Sequence, residues 1–149
     1  MPGISPESVL TDVGSTKSDV LALIKDMNVK NPFIGGHPLA GSEKSGFAAS
    51  RANLFENAYY CLTPDENTDK NSLIKLKSIV LDLGAIPIEM TPDEHDRVTA
   101  AISHVPHIVA ASLVNLIDEL DSQDNVMKTI SAGGFKDLTR IASSSPSLW

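Results

Sequence analysis

A single cysteine, Cys61, excludes an intrachain disulfide, and a chain with one thiol reads as the product of a reducing compartment. Arginine is nearly as scarce. Arg51, Arg97 and Arg140 are the only three, so a planar, bidentate grip on a carboxylate falls to very few side chains. Lysine and arginine never run together and the formal charge is −7, which excludes partners held by counterion release, such as nucleic acid or an anionic membrane surface. No stretch reads as approaching the ~18 apolar residues of a membrane span, and no charged, apolar, small-residue signal opens the chain. The expected location is the cytoplasm. Also missing are the dinucleotide fingerprint G-x-G-x-x-G, a Walker loop and any arrangement resembling a nucleophilic triad. What is present is the 42% apolar content of a soluble globular protein, in a length that allows one domain with a core or pieces of two.

Along residues 1–90 the pattern alternates. A strand is expected over Val9 to Val13, a helix over Lys17 to Met27, and strands over Phe33 to Gly36 and Ala58 to Thr63. A helix over Leu73 to Leu83 then ends at Gly84, and Ile86 to Met90 forms a last strand. This is an α/β part with a mostly parallel sheet and helices packed on it. Thr91-Pro92-Asp93-Glu94 is a capping box with proline at the first helical position, so a helical part, 91–149, starts there. From Val98 the apolar residues Ile102, Val105, Val109, Leu113, Leu116 and Leu120 keep a three-or-four spacing, and Pro106 should kink that helix beside Ser103 and His107. Shorter helices are expected over Asp124 to Ile130 and Phe135 to Ala142, separated by Gly133-Gly134. Both ends look cut, and Trp149 calls for something to pack against. The long apolar face predicts at least a dimer.

Three clusters carry the candidate chemistry and read as one site. In Gly35-Gly36-His37-Pro38-Leu39-Ala40-Gly41-Ser42-Glu43-Lys44-Ser45-Gly46, glycines surround a histidine at a strand end, where open α/β sheets collect ligands. His37 is either a general base or a loop histidine that caps a strand. Ser103-His104-Val105-Pro106-His107 puts two histidines on one helix face, a metal-like spacing. Further ligands from Glu94, His95 or Asp96 would lie about 13 Å away along the axis, so no metal site is expected. In Gly133-Gly134-Phe135-Lys136-Asp137-Leu138-Thr139-Arg140, Arg140 reaches either a ligand carboxylate or Asp137. Glu43 gates a pocket mouth or faces solvent. Ser15, where a strand meets a helix N-terminus, is a cap or a ligand contact.

With Thr11-Asp12-Val13-Gly14-Ser15-Thr16-Lys17 and the His95-Asp96 pair added, these blocks resemble prephenate dehydrogenase in order and spacing, over nearly the whole chain. The resemblance implies the C-terminal part of a Rossmann-like nucleotide-binding domain followed by part of a helical substrate-binding and dimerisation domain. It implies NAD(P)-dependent oxidative decarboxylation of prephenate to 4-hydroxyphenylpyruvate, with His37 as base and Ser15 beside it. Arg140 would hold a substrate carboxylate, Ser103, His107 and Ser42 would line the pocket and Glu43 would guard it. Asp12, Gly14 and Ser15 would meet NAD or NADP. By this resemblance the chain starts after the G-x-G-x-x-G half, so dinucleotide affinity falls and the chain is inactive alone or works with a complementary N-terminal chain. The alternatives are an arogenate dehydrogenase and a non-catalytic helical association module.

Overall fold

The computed structural model describes residues 4–41, 46–121 and 124–144. They fall into two compact units, Met1–Gly41 with Ser50–Thr99 and Ser42–Ala49 with Ala100–Trp149.

The first unit is α/β. Helix α1 (Ser18–Asp26), strand β1 (Gly35–Pro38), strand β2 (Tyr59–Thr63), helix α2 (Lys70–Asp82), strand β3 (Ile86–Glu89) and helix α3 (Pro92–Thr99) follow in order. The sheet runs β1-β2-β3, with β2 and β3 parallel but β1 and β2 antiparallel, so it is mixed rather than mostly parallel. Connectivity explains the difference. The crossover through α2 brings β3 back parallel to β2, whereas the β1 to β2 link has, among its described residues, only the 3-10 turn Phe47–Ala49 and reverses direction. The core is Ile34, Tyr60, Leu62, Leu76, Val80 and Ala85, with Val9, Phe55 and Leu73 packed on it.

Helix α2 starts at Asp69, whose carboxylate accepts from the Ser72 N–H at 2.8 Å, and those bonds hold its pKa below the usual range. Its end is as expected, with Gly84 at φ +77° just past the last turn. The strand expected over Val9 to Val13 reduces to one parallel bridge, Leu10 to Phe33. Past that bridge the acceptor for the Gly36 N–H is the Asp12 side chain, at 3.0 Å, instead of a neighbouring strand's carbonyl. The strand expected at Phe33 to Gly36 therefore forms two residues later, where Gly35 to Pro38 pair with Thr63 to Tyr60.

The capping box behaves as its residues dictate: the Glu94 N–H donates to Thr91 Oγ1 at 3.2 Å and α3 begins at Pro92. Helical residues run without a break from Pro92 to Leu120, a 29-residue stretch long and apolar enough to cross a membrane by length and composition. This differs from the sequence expectation that nothing approaches a span: the charges of the stretch sit at its two ends, and Val98 to Ile117 carries none of Asp, Glu, Lys or Arg.

In the second unit a π-helical segment, Ala100–His104, leads into α4 (Val105–Leu120). Pro106 has no N–H to offer the carbonyl one turn back, and the wider π turn sits just before it. Helices α5 (Val126–Ile130) and α6 (Gly133–Thr139) and a 3-10 turn, Arg140–Ser143, complete the unit, with α6 and the turn packed on α4. Gly133 and Gly134 thus open α6 instead of separating two helices. The carboxylate of Asp121, at the end of α4, accepts from the Met127 and Lys128 N–H groups at 3.0 and 3.1 Å and so fixes the start of α5. Ile102, Val105, Ile108, Val109, Leu116 and Leu120 remain exposed.

Candidate active site

The first unit gathers two polar clusters at one end of β1. Lys17 is only 1% exposed. Its ammonium pairs with Asp12 and donates to the Gly36 carbonyl at 2.7 Å. The other donors to Asp12 are backbone N–H groups, Gly14 at 2.9 Å and Gly36 at 3.0 Å. A Cβ on Gly36 would lie 2.6 Å from the Asp12 carbonyl oxygen, and one on Gly35 would lie 2.3 Å from Thr63 Oγ1. The paired glycines are therefore required by the close approach of protein to protein. The same contacts tie the 12–14 turn to the strand that carries His37.

His37 leaves β1 toward α3. Its Nδ1 lies 2.8 Å from Nε2 of His95, and the other nitrogen of His95, Nδ1, lies 2.8 Å from Oδ1 of Asp96. The two rings meet edge to face, with centroids 5.0 Å apart and planes at 68°, so the contact is nitrogen to nitrogen. His95 is wholly buried and Asp96 is partly exposed. Thr99, one turn along α3, places its hydroxyl 3.4 Å from His95 Nε2.

Asp96 has a second duty. Its oxygens accept from the Lys17 and Ser18 backbone N–H groups, both at 2.8 Å, and so cap α1 from outside that helix. Burial raises its pKa, but hydrogen bonds from Ser18, His95 and Lys17 outweigh that and hold the carboxyl at about 2. The cap expected of Ser15 is thus supplied by α3, and Ser15 stands exposed in the turn before α1. Opposite His37 in the sheet lies Cys61, whose buried thiol has a raised pKa.

The remaining candidates belong to the second unit. Ser103 is exposed in the π segment, His107 is half-buried in the first turn of α4, and Arg140 is exposed at the start of the last 3-10 turn. Arg140 takes no part in the ion pairs among the described residues, so the alternative of a bond to Asp137 is not realised. Ser42 and Glu43 lie outside the described residues. Sequence reasoning passed over the supporting roles of His95, Asp96 and Lys17. Adjacency of a histidine and an aspartate in the first turns of a capped helix, with Thr99 on the same face, was the available signal.

Residues 1–89 match a family model described as prephenate dehydrogenase, nucleotide-binding domain, and residues 91–149 match prephenate dehydrogenase, dimerization domain. A prephenate dehydrogenase of Bacillus subtilis (strain 168) is 50% identical over 148 residues, which are 99% of this chain and 40% of that protein. The crystal structure of Aquifex aeolicus prephenate dehydrogenase with hydroxyphenyl propionate and NAD+ superposes at a TM-score of 0.89 and 39% identity, covering 98% of this chain and 51% of the other. Synechocystis arogenate dehydrogenase superposes at 0.82 and 36% identity, covering 99% of this chain and 53% of that one. The chain thus spans between two fifths and about half the length of these relatives.

Proposed function

The chain belongs to the prephenate dehydrogenase family, and from that membership we propose that it serves the NAD(P)-dependent oxidative decarboxylation of prephenate to 4-hydroxyphenylpyruvate, a step toward tyrosine, in the cytoplasm. The observation that supports this most is the 2.8 Å contact between His37 Nδ1 and His95 Nε2, which fits proton acceptance at the other nitrogen of His37, Nε2. His37 takes the proton of the ring hydroxyl as that carbon becomes a carbonyl. The ring carboxylate then leaves as carbon dioxide, its bonding pair enters the ring, and the proton returns from His37 to the phenolate oxygen. The dinucleotide, when bound, supplies the acceptor for the hydride lost from the hydroxyl carbon.

NAD(P) is supported by the nucleotide-binding-domain match and by the NAD+ in the Aquifex structure. The exposed Gly14-Ser15 turn, small and held from behind by Asp12, fits contact with the reactive end of such a cofactor. Asp12 contributes by shaping that turn, since its oxygens are engaged by Lys17, Gly14 and Gly36. Arg140 holds a substrate carboxylate, Ser103, His107 and Ser42 line the pocket and Glu43 guards its mouth. The dimerization-domain match supports a homodimer in which a second copy covers exposed apolar residues of α4. Nothing found in the structure or the relatives speaks for the separate complementary chain considered from sequence.

The likeness to Synechocystis arogenate dehydrogenase supports arogenate as the second substrate to test. The experiment follows reduced-nicotinamide absorbance with prephenate or arogenate and either NAD or NADP, beside His37→Asn. Turnover that falls on the order of a hundredfold in the variant is expected of a lost general base. Equal turnover in both proteins refutes the role of His37, and no turnover with either substrate at high cofactor concentration refutes the activity for this chain.

A further inference from the structure

Asp96 is ionised at neutral pH and can only accept hydrogen bonds, so the nitrogen facing it, His95 Nδ1, carries a proton. With the ring neutral, His95 Nε2 is then an acceptor. The only hydrogen that can lie on the 2.8 Å line between the rings is one on His37 Nδ1. Neutral His37 must therefore bear its lone pair at Nε2. The Asp96 carboxylate that sets this order is itself anchored by two backbone N–H groups at the start of a different helix.

We propose that Asp96 and His95 are positioning residues that hold His37 as its Nδ1–H tautomer and take up the charge that forms on it when Nε2 accepts a proton. The proposal rests on His37 acting as the base in the function above. Once Nε2 is protonated, His37 is an imidazolium whose Nδ1–H still points at His95. Passing that proton to His95 Nε2 places the cation on the ring beside Asp96 and leaves His37 neutral with its proton on Nε2. No atom is gained or lost, and the return transfer restores the imidazolium for product protonation. Because His95 is wholly buried, the ring that receives the proton has no direct contact with bulk water.

The charged and titratable groups around this chain come from every neighbouring element. Asp96 lies on α3, Asp93 on the same helix is engaged by the Ser18 hydroxyl at 2.9 Å, and Lys17 and Asp12 pair with each other on the far side of Gly36. Cys61, across the sheet from His37, has a raised pKa and is a neutral thiol at pH 7. Asp96 is thus the anion in direct contact with the two-ring chain.

Nitrogen-15 NMR of the full chain, with its histidine rings labelled, reads the tautomer without any turnover. The expected result is a protonated Nδ1 and an unprotonated Nε2 on His37, with scalar coupling across the bond to His95 Nε2. A neutral His37 protonated at Nε2 in the wild type overturns the proposal, and this measurement needs no variant to fold. In His95→Gln and Asp96→Asn the His37 tautomer should become mixed, and an unchanged pure Nδ1–H form would also overturn it.

Kinetics supply the second readout. Asp96→Asn should lower kcat on the order of tenfold to a hundredfold with little change in KM, and should move the acid limb of kcat/KM to lower pH because the imidazolium loses its anion. A fall in kcat with an unmoved acid limb marks a purely structural residue and overturns the proposal. The tautomer result stands apart from the function: the expected tautomer with no effect of His37→Asn on turnover would refute the base, not the hydrogen-bond chain.

Discussion

Replacing Lys17 by methionine keeps the buried stem and removes only the ammonium, which isolates what the charge does. Lys17 is 1% exposed and its partner Asp12 is 23% exposed, so the pair is intermediate between a surface bridge and a fully buried one. Breaking a wholly buried pair costs about 3–5 kcal/mol; with Gly14 and Gly36 still donating to Asp12, about 2–3 kcal/mol is appropriate here. The Gly36 carbonyl also loses its donor, adding about 1 kcal/mol. The total, about 3–4 kcal/mol, is a large fraction of the ~5–15 kcal/mol of a typical domain. The assay is urea denaturation at pH 7 of the wild type, Lys17→Met, Asp12→Asn and the double variant. With the anion already gone, Lys17→Met should cost only about 1–2 kcal/mol, giving a coupling energy near 2 kcal/mol. A coupling below about 0.5 kcal/mol would refute the idea that this pair holds the 12–14 turn against β1.

Gly36→Ala puts a methyl group 2.6 Å from a backbone oxygen and should cost about 1–3 kcal/mol by thermal melting, whereas Gly41→Ala, whose Cβ would meet no atom of the described residues within 4 Å, should be within about 0.5 kcal/mol of wild type. Leu62→Ala, at a fully buried core position, should lose about 2–5 kcal/mol in the same urea assay. The depressed pKa of Asp96 contributes stability that is present above its ordinary value of 3.8 and is lost as pH falls toward about 2. Partial exposure brings that contribution to about 1 kcal/mol, and acid titration of Asp96→Asn should lack this component in that window. Light scattering at micromolar concentration should give a dimer, and a monomer would contradict the covering of α4 by a second copy.

The parts of the fold governed by local chemistry were legible. Gly84 could be placed at the end of α2 because positive φ there favours glycine, and Thr91 with Pro92 placed the start of α3 because the capping hydroxyl and its donor, the Glu94 N–H, are only three residues apart in sequence. The antiparallel pairing of β1 was not, since it depends on what the long link to β2 does rather than on any alternation in Gly35 to Pro38. The strand expected over Val9 to Val13 failed for a related reason: the Asp12 side chain substituted for a strand's backbone acceptor, and periodicity does not register such an exchange. Of the candidate site, His37 stood out through its glycines. Its contact with His95 bridges 58 positions and follows only from how α3 packs on the sheet.

That packing also explains why one aspartate can orient a histidine without saturating it with charge. A carboxylate whose only partner was the ring beside it would draw a proton onto that ring, leaving His95 a cation and His37 with its Nε2 already protonated. Asp96 is instead satisfied chiefly from another direction, by the Lys17 and Ser18 N–H groups at the positive end of α1. Its negative charge is therefore balanced by a helix terminus, and the bond to His95 is left to set orientation. Stability of the α1 start and readiness of His37 are consequently coupled through the same two oxygens. A substitution at the 15–18 segment that weakens the α1 cap strengthens the pull of Asp96 on His95, and so acts on the proton-accepting nitrogen of His37 without touching it.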